Sequence, residues 1–143
     1  MSTETATEHP ARAMARRSME IVQQKGEGAR ERWLALWDED GIVEDPIGPS
    51  PMDPSGEGYR GKAAIARFWD LAIGPTDVTF DIERSYACGN EVANVGCIRT
   101  RTPDGTTAVC HGVFTYRIND AGKLVALRAY WEFDQMMATM QKT

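Results

Sequence analysis

The second half of the chain is dominated by four strand-like segments that follow one another with only short turns between them. The first, 78–83, alternates apolar and polar residues, the two-residue period of a half-buried strand. The other three are 91–102, 106–118 and 123–133. Turn formers separate these three: Pro103-Asp104-Gly105 and Asn119-Asp120-Ala121-Gly122. Consecutive strands joined by tight turns pair antiparallel, so the sequence predicts an antiparallel meander.

The first half supplies helices. Apolar residues recur at helical spacing in 11–24, 29–38 and 62–73, and the turn former Gly41 leads from the second of these into a short apolar strand at 42–45. Helices followed by a meander predict an α+β fold with helices packed on one face of the sheet. Gly96 and Gly112 interrupt strand segments and suit bends, so we expect a strongly curved, mainly antiparallel sheet. About three helices closing such a sheet give a cone-shaped barrel with an apolar cavity. Residues 134–140 suit a short helix or a last half-strand.

Length and charge bound the class of protein. The 143 residues suit a disordered tail at 1–10 and a single domain at 11–143. A net charge of -5 without a basic run argues against nucleic acid or an anionic membrane as partner, and no apolar run is long enough to span a membrane. The three cysteines, an odd number, lack disulfide or metal spacing, which is typical of reduced thiols in a cytoplasmic protein.

The strand at 42–45 carries the main chemical signal. Its two acids, Glu44 and Asp45, stand at a strand end because Pro46 cannot continue a central strand. Adjacent strand residues point to opposite faces, so one acid faces solvent and the other faces whatever the sheet encloses. An enclosed carboxyl would have a raised pKa and serve as a proton shuttle, whereas the alternative is a strand end with two solvated acids. The loop at 49–58 that follows is either a rim or lid of a cavity or a plain surface excursion.

Four segments carry a familiar pattern: Val-Glu-Asp-Pro-Ile-Gly at 43–48, Gly-Lys-Ala-Ala-Ile-Ala-Arg-Phe-Trp at 61–69, Gly-Val-Phe-Thr-Tyr-Arg-Ile-Asn at 112–119 with Gly-Lys at 122–123, and Arg-Ala-Tyr-Trp at 128–131. In this order they resemble the Δ5-3-ketosteroid isomerases of the SnoaL-like, or nuclear transport factor 2-like, superfamily. The resemblance implies a cone-shaped α+β barrel, commonly a homodimer, without a cofactor or metal. It also implies an apolar, steroid-like substrate and makes Asp45 the catalytic base that moves a proton along the substrate.

The donors that stabilise the enolate oxygen in that family do not carry over. Counting without gaps places the family's tyrosine at Ile21 and its protonated acid at Phe114, and neither side chain can donate a hydrogen bond. A partner tyrosine of some members falls at Trp69. Candidate replacements are Tyr116, which shares a strand face with Phe114, and Ser18, one helical turn before Ile21. Trp131 matches an aromatic residue of the pocket and offers an indole N–H. The predicted pocket residues are Ser18, Ile21, Trp69, Phe114, Tyr116 and Trp131.

The predicted function is therefore a ketosteroid isomerase-like enzyme with an altered oxyanion site. Two alternatives stay open: a binding protein for apolar molecules without turnover, and a polyketide cyclase or epoxide hydrolase on the same scaffold. His111 lies three residues from Phe114, which predicts the opposite strand face and a structural or interfacial role. A single histidine in the domain does not make a histidine-rich metal site.

Overall fold

A computed structural model describes residues 8–142 of the chain. The strands are β1 (Trp37–Glu44), β2 (Tyr59–Arg60), β3 (Asp77–Cys88), β4 (Glu91–Arg101), β5 (Thr106–Ile118), β6 (Leu124–Tyr130) and β7 (Gln141–Lys142). The α-helices are α1 (Pro10–Gln24), α2 (Ala29–Leu34), α3 (Lys62–Phe68) and α4 (Phe133–Thr139), and a π-helical turn, Trp69–Ile73, extends α3. In the described part of the chain, no helix is long and apolar enough to cross a membrane.

The strands form one curved sheet in the order β2-β1-β6-β5-β4-β3, with β7 added beside β5. Strands β3 to β6 pair antiparallel with their sequence neighbours, which confirms the predicted meander. The first strand joins the meander by pairing parallel with β6. The α+β class and the mainly antiparallel sheet are thus confirmed, although the sheet stays open because β2 and β3 lie at opposite ends of the strand order.

Two glycines allow neighbouring strands of the curved sheet to approach each other closely. Gly96 on β4 and Gly112 on β5 face each other in the register. A Cβ atom on Gly96 would lie 2.1 Å from the carbonyl oxygen of Asp81, and one on Gly112 would lie 2.0 Å from that of Tyr130. Any larger residue would push the neighbouring backbone away, so the close strand approach requires glycine at both positions. The bulge in β3 between Ile82 and Arg84 lies beside this pair.

The helices cover the concave face of the sheet. Helix α1 packs across β3, β4 and β5, while α3 packs on β1 and β2. The core between them is aromatic and aliphatic, with Trp33, Trp37, Val43, Ile65 and Leu124 almost fully buried. Their removal from water is the main stabilising contribution to the fold.

The bounds of several elements differ from the sequence prediction. Helix α2 ends at Leu34 instead of residue 38, because Trp37 already pairs with Leu124 in the sheet. The turn predicted at Gly41 is instead a bulged part of β1, where the register shifts between Trp37 and Ile42. Helix α1 begins at Pro10, capped by the ring of His9; residues 1–7 of the predicted tail lie outside the described residues.

Candidate active site

The two acids at the end of β1 point to opposite faces, as the strand alternation predicts. Glu44 faces outward and accepts a hydrogen bond from Arg128 Nε, with 3.0 Å between the nitrogen and Oε1. Asp45 faces the concave side, where Pro46 ends the strand. The chain stays attached to the sheet beyond this point, since the Ile47 amide donates to the carbonyl of Ala129. Because Asp45 lines an enclosed cavity and Glu44 is paired with Arg128, the interpretation of two solvated acids is wrong.

Trp131 is the hydrogen-bond partner of Asp45. Its indole Nε1–H donates to Asp45 Oδ1, with 2.6 Å between the two heavy atoms. Burial raises the pKa of the Asp45 carboxyl, and this indole hydrogen bond opposes the rise by stabilising the carboxylate. An enclosed carboxyl in this balance is able to accept and return a proton.

Asp45 opens into a cavity of about 320 Å³ between the helices and the sheet. Its walls come mainly from apolar side chains: Val22, Trp33, Phe68, Ile73, Val78, Phe80, Ile98, Phe114, Leu127 and Trp131. Asp45 is the one carboxyl among the described lining residues. Such a cavity suits an apolar molecule that carries few polar groups.

The structure brings four of the six predicted pocket residues into this cavity. Ser18, Phe114, Tyr116 and Trp131 all line it together with Asp45.

The other two predicted pocket residues, Ile21 and Trp69, do not line this cavity, so the prediction is corrected at both positions. Ile21 lines a separate surface groove between α1, α2 and the turn before β6. Val22, the next residue and about 100° further round the helix, faces the cavity instead. Trp69 is buried against Trp33, with 5.4 Å between ring centroids, and does not line the cavity. Counting residues across a loop does not preserve the phase of a helix, which explains the error at Ile21.

A chain of polar groups lies at one end of the cavity. The indole Nε1–H of Trp33 donates to Ser18 Oγ over 2.9 Å, and the Ser18 hydroxyl lies close enough to the Tyr116 phenol to lower the pKa of that phenol. All three side chains are nearly fully buried. Burial and then the negative charge of Asp45 raise the pKa of the Tyr116 phenol, so Tyr116 stays neutral. The sequence does not predict this role of Trp33, because nothing in its helix indicates a hydrogen-bond partner 15 residues away.

Sequence reasoning also missed Cys110. It lies four residues before Phe114 on the same strand face and lines the cavity. Burial, followed by the charge of Asp45, raises the pKa of the Cys110 thiol to about 12, so the thiol stays protonated. His111 is exposed on the other strand face, as predicted. Within residues 8–142, no group of three or more His, Cys, Asp or Glu side chains is arranged to hold a metal ion.

The mouth of the cavity lies between the loop at 49–58, the π-helical turn and α4. The loop and α4 contribute one apolar side chain each, Met52 and Met136, and the most exposed lining residue of the π-helical turn is Leu71. The loop is held by internal bonds, since the Gly58 amide donates to Asp53 Oδ2 over 2.8 Å. The loop at 49–58 is therefore part of the cavity rim.

The arrangement of sheet, helices and cavity agrees with the family comparison. The model of the SnoaL-like domain matches residues 15–127. The chain belongs to this family, within the nuclear transport factor 2-like superfamily. The resemblance drawn from the four sequence segments is thus confirmed.

Solved structures similar to this SnoaL-like protein cover nearly the whole chain. The Delta 5-3-Ketosteroid Isomerase from Mycobacterium sp. is 41% identical, covers 94% of this chain and 98% of its own, and gives a TM-score of 0.81. RV0760c from Mycobacterium tuberculosis, in complex with estradiol-17beta-hemisuccinate, is 35% identical, with 92% and 98% covered and a TM-score of 0.81. A computationally designed 17-OHP binder is 34% identical, with 92% and 97% covered and a TM-score of 0.82. No curated protein matched the chain.

Proposed function

We propose that this protein is a ketosteroid isomerase-like enzyme that moves a carbon–carbon double bond in an apolar, steroid-like ketone. The observation that carries the proposal is the carboxyl of Asp45, enclosed in an apolar cavity and held by Trp131. Support for the substrate class comes from the similarity to a ketosteroid isomerase and to a protein in complex with a steroid hemisuccinate.

The reaction needs one group that removes a proton and returns it. The Asp45 carboxylate takes a proton from the carbon between the ketone and the double bond: the C–H bond breaks and an O–H bond forms on the carboxyl. The electron pair becomes a new carbon–carbon double bond, and negative charge develops on the ketone oxygen. The carboxylic acid then returns the proton to the far carbon of the conjugated system, which regenerates the Asp45 carboxylate and leaves a conjugated enone.

The balance at Asp45 suits both steps. Burial favours the acid form that must exist between them, and the Trp131 hydrogen bond favours the carboxylate that starts them. The apolar walls exclude water, so the proton stays on the carboxyl instead of exchanging with solvent.

The test is ultraviolet absorbance of a Δ5-3-ketosteroid incubated with the protein, because the conjugated product absorbs where the substrate does not. We expect the signal to grow with wild type and to slow by about 10²–10⁴-fold in Asp45→Asn, the usual contribution of a general base. Glu44→Gln is the matched control, since it removes the adjacent carboxyl on the outer face. If Asp45→Asn turned over the substrate at the wild-type rate, the assignment of Asp45 as the base would be refuted.

A binding protein without turnover is the second candidate. Phe114 stands where the resemblance implies a protonated acid, and the similar designed protein is a steroid binder. Burial of a ligand in these walls would contribute about 25 cal/mol per Å² of apolar surface. A flat absorbance trace, together with a steroid titration that quenches the fluorescence of Trp131 and Trp33, would favour this candidate over the enzyme.

A further inference from the structure

We propose that Tyr116 donates the hydrogen bond that receives the ligand's ketone oxygen, with Ser18 and Trp33 as positioning residues. The catalytic consequence rests on the proposed function, whereas the binding role applies equally to an enzyme and to a binding protein. The donor thus lies on strand β5, at a position other than the two where the resemblance implies donors, Ile21 and Phe114.

The direction of the Trp33–Ser18 hydrogen bond leaves the phenol proton of Tyr116 available for a ligand. An indole N–H can only donate, so the Ser18 oxygen accepts from Trp33. The Ser18 hydroxyl then has its own proton to give to the Tyr116 oxygen. The Ser18 hydroxyl opposes the rise in the Tyr116 pKa, which places this hydroxyl beside the phenol oxygen. The phenol proton of Tyr116 therefore stays available for a ligand in the cavity.

Ser18, Trp33 and Tyr116 are buried, so a polar group among them that lacked a hydrogen-bond partner would destabilise the protein. Ser18, Trp33 and Tyr116 are 2%, 1% and 3% exposed, so little water reaches their polar groups. A buried polar atom without a partner costs about 1–3 kcal/mol. A ketone oxygen that accepts from Tyr116 would complete the chain in a part of the cavity where water is scarce.

The register places Tyr116 and Asp45 at a spacing that suits a ketone and its neighbouring carbon. On β5, Phe114 pairs with Ala129, and Tyr116 pairs with Leu127, two residues deeper. The chain just after Asp45 is bonded to Ala129, which puts the carboxyl near the level of Phe114. Two strand residues span roughly 7 Å. An oxygen bound at Tyr116 would therefore direct the adjacent carbon toward Asp45.

The other lining groups near this end are poorer donors. Phe114, Val22 and Leu127 carry no polar hydrogen. The indole N–H of Trp131 is already bonded to Asp45. Among the described lining residues at this end of the cavity, the Tyr116 phenol is thus the strong neutral donor that remains.

The test compares two ligands in the full-length protein: a 3-ketosteroid and the otherwise identical steroid without the ketone oxygen. Dissociation constants are measured by tryptophan fluorescence for wild type, Tyr116→Phe and the matched control Tyr86→Phe, whose ring is 57% exposed. We expect Tyr116→Phe to weaken ketone binding by about 2- to 13-fold, the effect of one neutral hydrogen bond, and to leave the deoxygenated steroid unchanged. Equal loss for both ligands would assign Tyr116 to packing and overturn the proposal.

The infrared carbonyl stretch of the bound ketone provides the readout for the positioning residues. In wild type we expect the stretch to lie lower than for the same ketone in an apolar solvent, because a donated hydrogen bond weakens the C=O bond. Tyr116→Phe should remove this shift, and Ser18→Ala should reduce it without abolishing binding. A stretch that is identical in wild type and Tyr116→Phe would refute the assignment.

The outcomes separate this inference from the proposed function. Turnover by wild type that Tyr116→Phe leaves unchanged would refute the donor and leave the isomerase standing; the expected loss is about 10²–10³-fold. Selective loss of ketone binding in a protein without turnover would support the donor and refute the isomerase.

Discussion

Replacing Trp131 by Phe tests how the carboxylate of Asp45 is held ready as a base. The substitution keeps an aromatic ring in the cavity wall and removes the donor to Asp45 Oδ1, which lies 2.6 Å from the indole nitrogen. Burial already favours the acid form, so loss of the donor should favour it further and raise the pKa of the carboxyl.

The magnitude follows from the kind of hydrogen bond that is lost. A hydrogen bond to a charged group contributes about 1.5–3 kcal/mol. At an RT of about 0.6 kcal/mol, this free energy lowers the ratio of carboxylate to acid by roughly 10- to 150-fold. At pH values below the Asp45 pKa, kcat/KM should fall by the same factor, because only the carboxylate accepts a proton. At high pH, where the carboxylate is fully formed, kcat/KM should change by only a few-fold.

The assay is the pH dependence of kcat/KM for the absorbance reaction, measured for wild type, Trp131→Phe and Trp69→Phe. Trp69 is the matched control, a buried tryptophan that does not line the cavity. We expect the acid limb to move to higher pH in Trp131→Phe alone. A uniform loss at all pH values would mean that Trp131 acts by packing, and an unmoved limb would refute the stabilisation of the carboxylate.

Three further predictions concern stability and reactivity. Because burial raises the pKa of Asp45, the folded state keeps the Asp45 proton to a higher pH than the unfolded chain, and the contribution of Asp45 to stability falls as pH rises from the ordinary pKa of 3.8 through the folded pKa. Asp45→Asn should therefore unfold at a higher temperature than wild type at pH 7. If the variant were still more stable than wild type at pH 3, the pKa of Asp45 would not be the cause. Gly112→Ala should lower the free energy of unfolding by about 3 kcal/mol, because the new Cβ would lie 2.0 Å from a carbonyl oxygen. Gly122→Ala is the control, since it has open space and only a positive φ to disfavour alanine, and should lower the free energy of unfolding by about 1 kcal/mol. Equal denaturant midpoints for the two variants would refute the close approach at Gly112. Exposed Cys88 should react with a thiol reagent at pH 8. Cys110 should react slowly, because burial raises the pKa of its thiol to about 12. Equal reaction rates in the two single-cysteine variants would contradict the burial of Cys110.

The sequence predicts most of the fold because the responsible signals are local. Alternation and turn formers determine β3 to β6, and the helical spacing around Trp33 and Phe68 determines helices. Asp45 could be predicted as well, since a strand end, a following proline and two-residue alternation all lie within a few residues. The homodimer and the cytoplasmic location stay predictions.

The rest of the site depends on contacts between distant parts of the chain. The bond from Trp33 to Ser18 joins two helices, and whether Ile21 or Val22 faces the cavity depends on how the first helix is rotated on the sheet. The end of α2 is likewise decided by pairing of Trp37 with Leu124, far along the chain. No local pattern contains these distances.

The paired glycines of β4 and β5 have a consequence for how this scaffold acquires new ligands. Neither Gly96 nor Gly112 lines the main cavity, yet their lack of a side chain lets β3 and β6 lie close to β4 and β5 in the sheet that encloses it. The total volume that the sheet and helices enclose is therefore set by the backbone. Side-chain changes in the walls only alter how that volume is divided between protein atoms and ligand. A library confined to lining residues would exchange one ligand shape for another of similar size, whereas admitting a much larger ligand would require redesign of the bend itself.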